Sequence, residues 1–445
     1  MNRTGKVRRT VHGKMRSNAG GMPPKLMRIF QNALEMCHCI SAGTVLYSLQ
    51  TNPTLMKTHS CSRRQFLRAA SAIAAGSPFL AGGMFSAHAA DALVRPRARG
   101  DANVAIAACK TYGPEVRSAL DQCFDLIGGI GLLVKNKTVT VKINLTGTDF
   151  TPFLNRPVGE TFMTHYSTVA ALTSALFKAG ATRVRLVEST QSRAKLENTI
   201  DLADWDVNAL RAMGNVEFEN TRNLGSRKNY AHLKVPTGGY MFSALDVNHS
   251  YHDTDVMVSL CKLKNHITAG VTLSMKNLFG MTPNTLYGDK AVNEDATAGR
   301  GPLHNPTGFP SVKLPGLKPD VTSTDPTYRV PHIVADICAA RPIDLAIIDG
   351  ITSMSGGEGP WCRHAGPLKF TAPGVLIVGR NPVSTDAVGT AVMGYDNPRA
   401  VRGQKPFHFC DNHLLLAEQS GIGVADLSKI DVRGMSIEKA RLPYG

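Results

Sequence analysis

Lys262, Lys264, Asn265 and His266 crowd into one short stretch, and Lys276-Asn277 follows a few turns later. Ammonium groups neutralise anions and polarise carbonyls, amides orient a ligand by hydrogen bonds, and imidazole exchanges protons near neutral pH. His266 and His165, with Lys264 and Lys276, are therefore candidate catalytic groups, and Lys142, Asn144, Lys262, Asn265 and Asn277 are candidate substrate-binding groups. Glu188, Asp349 and Glu358, with His364, could hold a divalent metal. Oxygen ligands favour Mg, Ca or Mn, and the histidine would shift the choice toward Zn or Fe. Taken singly, each residue has a bland reading, as a solvated loop lysine or a carboxylate that caps a turn. Convergence is what would make them a site.

The elements that would bring them together alternate in type. Residues 256–260 are an apolar run rich in β-formers and read as a buried strand, and 269–279 place Val271, Met275, Leu278 and Phe279 at helical spacing. Further strands are expected at 104–108, 138–145, 183–187, 345–348 and 375–378, with a weak one at 216–218. Helices are expected at 115–127, 165–179, 328–340 and 383–393, the last preceded by Pro382. Asp386, in the first turn of that helix, is expected to stabilise its N-terminus. Such alternation predicts an α/β fold, a mainly parallel sheet with helices on both faces, in a single large domain with long loop insertions. Strand after strand stops at a polar group, Lys142/Asn144, Glu188, Lys262/Lys264 and Asp349, and the carboxyl ends of parallel strands share one crevice. For Lys264 and Lys276 to share it, the chain at Thr268–Gly270 must turn back, with Gly270 and Gly280 allowing the bends, and the two ammonium groups should then lower each other's pKa. Two irregular stretches flank the crevice: a lid-like loop, 281–327, and 353–368, which carries Glu358, Trp361, Arg363 and His364. The second lacks the spacing of a Walker loop or a dinucleotide-binding fingerprint.

Ser62-Arg63-Arg64-Gln65-Phe66-Leu67, an Ala/Gly-rich apolar stretch and Ala87-His88-Ala89 resemble a twin-arginine export signal spanning 56–89, with cleavage after Ala89. The apolar stretch is marginal in length for a membrane anchor, so no stable membrane span is expected. Residues 1–55 read as a mis-assigned upstream extension, with translation starting at Met56, and 90–445 as the mature domain. The translocase is then a partner during export, and the location is periplasmic. The whole chain carries a formal charge of +16, but the leader region contributes most of it, and the mature part is only about +5. A nucleic-acid partner is not expected. The nine cysteines include no C-x-x-C pair, so no iron–sulfur cluster is expected, and any disulfide pairing cannot be read from their spacing.

In chain order, TVTVKINL, KAGATRVRLVES, VSLCKLKNHITAGVTLSMKNLFG, IDLAIIDGITSMSGGEGP and GRNPVSTDAVGTAVMG resemble the bacterial and archaeal family catalogued as domain of unknown function 362, over about residues 104–400. The specific part is K-x-K-x-H followed by K-N-x-x-G. Many members resemble fusions to a C-terminal ferredoxin-type module, whose cysteine pattern this chain lacks. The resemblance implies an α/β fold and assigns no reaction. Two functions remain open: an exported enzyme, its reaction class unassigned and possible metal assistance left open, that binds a small anionic or carbonyl-bearing substrate, and a periplasmic binding or maturation factor without catalysis.

Overall fold

A computed structural model describes residues 101–145, 152–190, 195–293, 296–297, 299–362 and 367–445. The export-signal stretch, the segment before it and the metal candidate His364 lie outside the described residues. The centre is an eight-stranded sheet: β1 Asn103–Ala108, β2 Thr138–Lys142, β3 Arg183–Glu188, β4 Val216–Asn220, β5 Val256–Lys262, β6 Leu345–Gly350, β7 Val375–Gly379 and β8 Asp431–Gly434. Their spatial order is β8-β1-β7-β6-β5-β2-β3-β4. Every pairing is parallel except those of β7, which runs antiparallel to both β1 and β6. The sheet is thus mostly parallel, as the alternation of elements implied, with one reversed strand inside it.

Every residue of β5 is buried, because the strand lies near the middle of a sheet covered on both faces. Met257 and Cys261 belong to one apolar layer, and Val256, Val258 and Leu260 to the other. The second layer holds α1, Pro114–Leu126, through Val116, Leu120 and Phe124, and α2, Tyr166–Lys178, through Val169, Leu172 and Leu176. The first holds α3, Leu273–Asn277, α4, Pro326–Ala340, and α5, Pro382–Val392. Each aliphatic side chain buried this way contributes about 1.5–3 kcal/mol.

Helix starts follow from local chemistry. The Nδ1 of His165 accepts from Ser167 N at 3.0 Å and so caps α2. Asn381 caps α5 by accepting from Ser384 N at 3.1 Å. Asp386 does not serve its own helix. Its carboxylate accepts from the backbone N–H groups of Ser274 and Met275, both at 2.9 Å, and from Ser274 Oγ at 2.6 Å, and so pins the start of α3 to α5. Its burial raises its pKa to about 7.

The expected helix over 269–279 is shorter and is preceded by a reversal. Asn265–His266 pairs antiparallel with Gly270–Val271, α3 begins at Leu273, and a 3-10 turn spans Leu278–Met281. Gly270 supplies the left-handed backbone of this hairpin, φ +72°, and a Cβ there would lie 2.6 Å from the Phe407 ring. The stretch after it has structure of its own, with short helices at Asn284–Tyr287 and Gly301–His304, and Tyr287 and Leu303 join the core. All six cysteines of the described residues are unbridged. Among the described residues no helix is long and apolar enough to cross a membrane.

Candidate functional site

The carboxyl ends of β2, β3 and β5 open onto a cavity of about 300 Å³. Lys142 and Asn144 reach it from the end of β2, Glu188 from β3, Lys264 and His266 from the segment after β5, and Lys276 and Asn277 from the last turn of α3. Arg300 and His304 reach it from the 281–327 stretch, and Glu358, Trp361 and Cys362 from the segment after β6. The hairpin at Gly270 brings Lys264 and Lys276 to one wall space despite the helix between them.

A chain of amides fixes the floor. Asn277 Nδ2 donates to the backbone carbonyl of Lys142 and to Ser259 Oγ, both at 3.1 Å. A carbonyl can only accept, so the Asn277 nitrogen must face it, and the Asn277 oxygen is left to accept from Asn144 Nδ2 at 3.1 Å. Asn144 Oδ1 is then turned toward Lys264 Nζ, which donates to it at 3.0 Å and to the Phe162 carbonyl at 2.7 Å. The two asparagines therefore position Lys264, and their amides are occupied within the protein. Lys142 Nζ stands 2.6 Å from Glu188 Oε1. The same carboxylate accepts from Leu145 N at 2.6 Å and from Ser189 N at 2.8 Å.

Burial dominates the electrostatics. It lowers the pKa of Lys264 and Lys276 to about 7. Glu358 opposes the shift at both, whereas Lys262 adds to it at Lys264, and Arg300 and then Lys264 add to it at Lys276. Mutual repulsion of the two lysines is thus a minor cause, felt at Lys276. Burial also lowers Arg300 to about 10 and Lys142 below its ordinary value, the latter against the pull of Glu188. Burial keeps His304 neutral, with a pKa of about 4. Its Nδ1–H donates to the Arg300 carbonyl at 2.9 Å, which leaves Nε2 as the lone-pair nitrogen. Lys276 Nζ lies 4.3 Å from the centre of the Phe279 ring.

Four candidates lie elsewhere. Lys262 Nζ turns away from the cavity to Tyr112 OH at 2.6 Å, to the Gly159 carbonyl at 2.9 Å and to Asp349 Oδ2 at 3.4 Å. Asp349 also accepts from Tyr112 OH at 2.9 Å and from Thr168 Oγ1 at 3.0 Å, so its oxygens are committed to this buried knot. His165 stacks on Tyr112 at 3.6 Å, and burial lowers its pKa to about 4. Asn265 spans Tyr395 OH and Gly356 N. These residues position the segments around the cavity and do not line it. Glu188, Asp349 and Glu358 do not meet as a ligand set: among the described residues no three His, Cys, Asp or Glu side chains group as a metal site. The sequence reading missed Arg300 and His304, which sit in a stretch without periodicity; a lone turn, Gly301–His304, is the signal there.

A family model described as Domain of unknown function (DUF362) matches residues 139–391, more than half of the chain. No curated protein matches it. Among solved structures, the lactate racemase apoprotein from Thermoanaerobacterium thermosaccharolyticum is similar at 12% identity and a TM-score of 0.34, over 66% of this chain and 58% of that one. A protein from Thermotoga maritima is similar at 15% identity and a TM-score of 0.31, over 62% of this chain and 57% of its own. The chain thus spans less than two thirds of either, and likenesses this distant carry no argument about its chemistry.

Proposed function

Since the chain belongs to the DUF362 family, whose name assigns no reaction, we propose from its own cavity that it is an enzyme acting on a small anion that bears a carboxylate or a carbonyl group. The carrying observation is the charge imbalance. Among the described residues, Lys142, Lys264, Lys276 and Arg300 face Glu188 and Glu358, and Glu188 is committed to Lys142. Burying cations in excess of their partners costs several kcal/mol per ion, and an anionic ligand relieves that cost. The volume, at the lower end of ligand cavities, selects a small molecule. Lys264 and Arg300 would hold the anion. His304, its tautomer fixed, would accept a hydrogen bond or a proton at Nε2, and His266 is the second imidazole on the cavity wall.

Calorimetry of the purified protein with acetate, oxamate and phosphate tests this reading. At least one should bind, and Lys264→Met should weaken it about tenfold or more. If none binds, the anion site is wrong. Binding with no turnover of any small carboxylate or carbonyl compound would favour a periplasmic binding factor over an enzyme.

We further propose that the protein acts in the periplasm after twin-arginine export. This rests on the sequence Ser62–Leu67 and the apolar stretch after it. Cell fractionation checks it, because replacing both Arg63 and Arg64 by Lys should leave the protein in the cytoplasm.

A further inference from the structure

We infer that Lys276 is a nucleophilic amine that condenses with the carbonyl of a 2-oxo acid held in this cavity, forming an imine. The inference rests on the anion site proposed above and names its substrate class.

Three lysines line the cavity, and their nitrogens differ in what they touch. Lys142 Nζ is tied to Glu188 at 2.6 Å and to the Ile143 carbonyl at 2.6 Å. Lys264 Nζ donates to two oxygens that can only accept, the Asn144 amide oxygen and the Phe162 carbonyl. Both nitrogens are therefore held in fixed positions by oxygens of the protein, and their lone pairs are not turned to a ligand. Lys276 Nζ has neither tie; the contact shown for it among the described residues is the face of Phe279. It therefore gives up a proton without leaving an acceptor unsatisfied. Burial, against the pull of Glu358 and helped by the lesser charges of Arg300, Lys264 and Lys142, lowers its pKa to about 7, so that a sizeable share is free base.

Around this amine the cavity offers what a 2-oxo acid needs. Lys264 and Arg300 would neutralise the carboxylate, and the adjacent carbonyl carbon would then come to Lys276. Nζ forms a C–N bond as the carbonyl π pair moves to oxygen, and the resulting carbinolamine takes up the proton that nitrogen releases. One further proton, available from the Lys264 ammonium, lets the hydroxyl leave as water and gives a cationic iminium. Carbonyl, neutral amine and one proton thus yield iminium and water, with no oxidant or reductant required. The positive iminium would sit near Glu358, a carboxylate on the cavity wall. His304 Nε2 could then take a proton from the carbon next to the iminium, which this cation acidifies.

The test is reductive trapping. The purified protein is incubated with glyoxylate or pyruvate and sodium borohydride, and intact mass followed by peptide mapping locates the adduct. A single adduct at Lys276, lost in both Lys276→Met and Lys276→Arg, is expected. Oxamate, shaped like pyruvate but unable to form an imine, should protect Lys276 and should still bind to Lys276→Arg within about threefold. Adducts confined to other lysines, or a rate of trapping equal to that of surface lysines, would overturn the inference. If oxamate binds but neither oxo acid traps, the imine fails and the anion site stands. If oxamate, glyoxylate and pyruvate all fail to bind and none traps, both fail.

Discussion

Lys142 and Glu188 form an ion pair of 2.6 Å with both side chains only 1% exposed, at the ends of two neighbouring parallel strands. A buried pair is costly to assemble and costlier to halve, since removing one partner strands a charge in a low-dielectric site. Glu188→Leu should therefore destabilise the protein by about 3–5 kcal/mol, whereas the double change Lys142→Met with Glu188→Leu should recover only the part due to the stranded charge, since Leu145 N and Ser189 N still lose their acceptor. Urea unfolding of the three proteins measures the difference. A single variant as stable as the parent would show that the pair does not hold the strand ends.

Gly280 is small because this pair lies beside it. A Cβ at 280 would stand 2.9 Å from Lys142 Cε and 3.2 Å from its Nζ, closer than side chains tolerate. The sequence reading had this glycine permitting a bend; its role is close approach, since it does not adopt a left-handed backbone. Gly280→Ala should cost about 1–3 kcal/mol through overpacking and should also weaken oxamate, because Lys142 must shift into the cavity. Thermal unfolding and calorimetry on the same preparation read both effects. Loss of stability with unchanged binding would mean that the shift goes the other way.

The fold was legible because most of its strands are apolar runs rich in β-branched residues and its helices carry one apolar face; β8, Asp431-Val432-Arg433-Gly434, was not, having a single large apolar residue to announce it. The lining of the cavity was legible where polar residues stand close in sequence, as Lys264 and His266 do. It was misread where the partner comes from a neighbouring strand. Lys262 sits opposite Asp349 in register, so the two satisfy each other inside the protein, and nothing within either strand says so. Lys264, two residues on, has left the sheet and, among the described residues, donates to an amide and a carbonyl oxygen.

The lysine shifts set a pH dependence. Folded Lys264 and Lys276 release their protons near pH 7, while unfolded lysine keeps its proton up to about 10.5. Between these values the unfolded chain binds more protons, so the stability of the ligand-free protein should rise as pH goes from 7 toward 10. An anion prefers the protonated amines, so its affinity should fall over the same range and its binding at pH 8 should take up protons. Calorimetry in two buffers of different ionisation enthalpy detects that uptake. Proton release, or none, would place both lysines fully charged in the empty cavity.

Lys264 and Lys276 should separate cleanly when each is replaced by methionine, although both line one cavity and share a similar pKa. Lys264 is 1% exposed, and its ammonium satisfies the Phe162 carbonyl and the Asn144 amide oxygen. Methionine fills its volume but donates nothing, so two buried acceptors lose their donor at a cost of about 1–3 kcal/mol each. Among the described residues Lys276 supports no such acceptor, and its replacement removes a cation that burial already disfavours. Lys276→Met should thus be neutral within about 0.5 kcal/mol or slightly stabilising, while Lys264→Met loses both stability and anion affinity. The stability difference between the two variants should persist at pH 9, because each variant keeps one lysine with the same lowered pKa and so gains equally as the pH rises. Equal losses at both positions and at both pH values would mean that the two amines are interchangeable charges, and the amide chain from Asn277 through Asn144 would then have no bearing on which lysine is held.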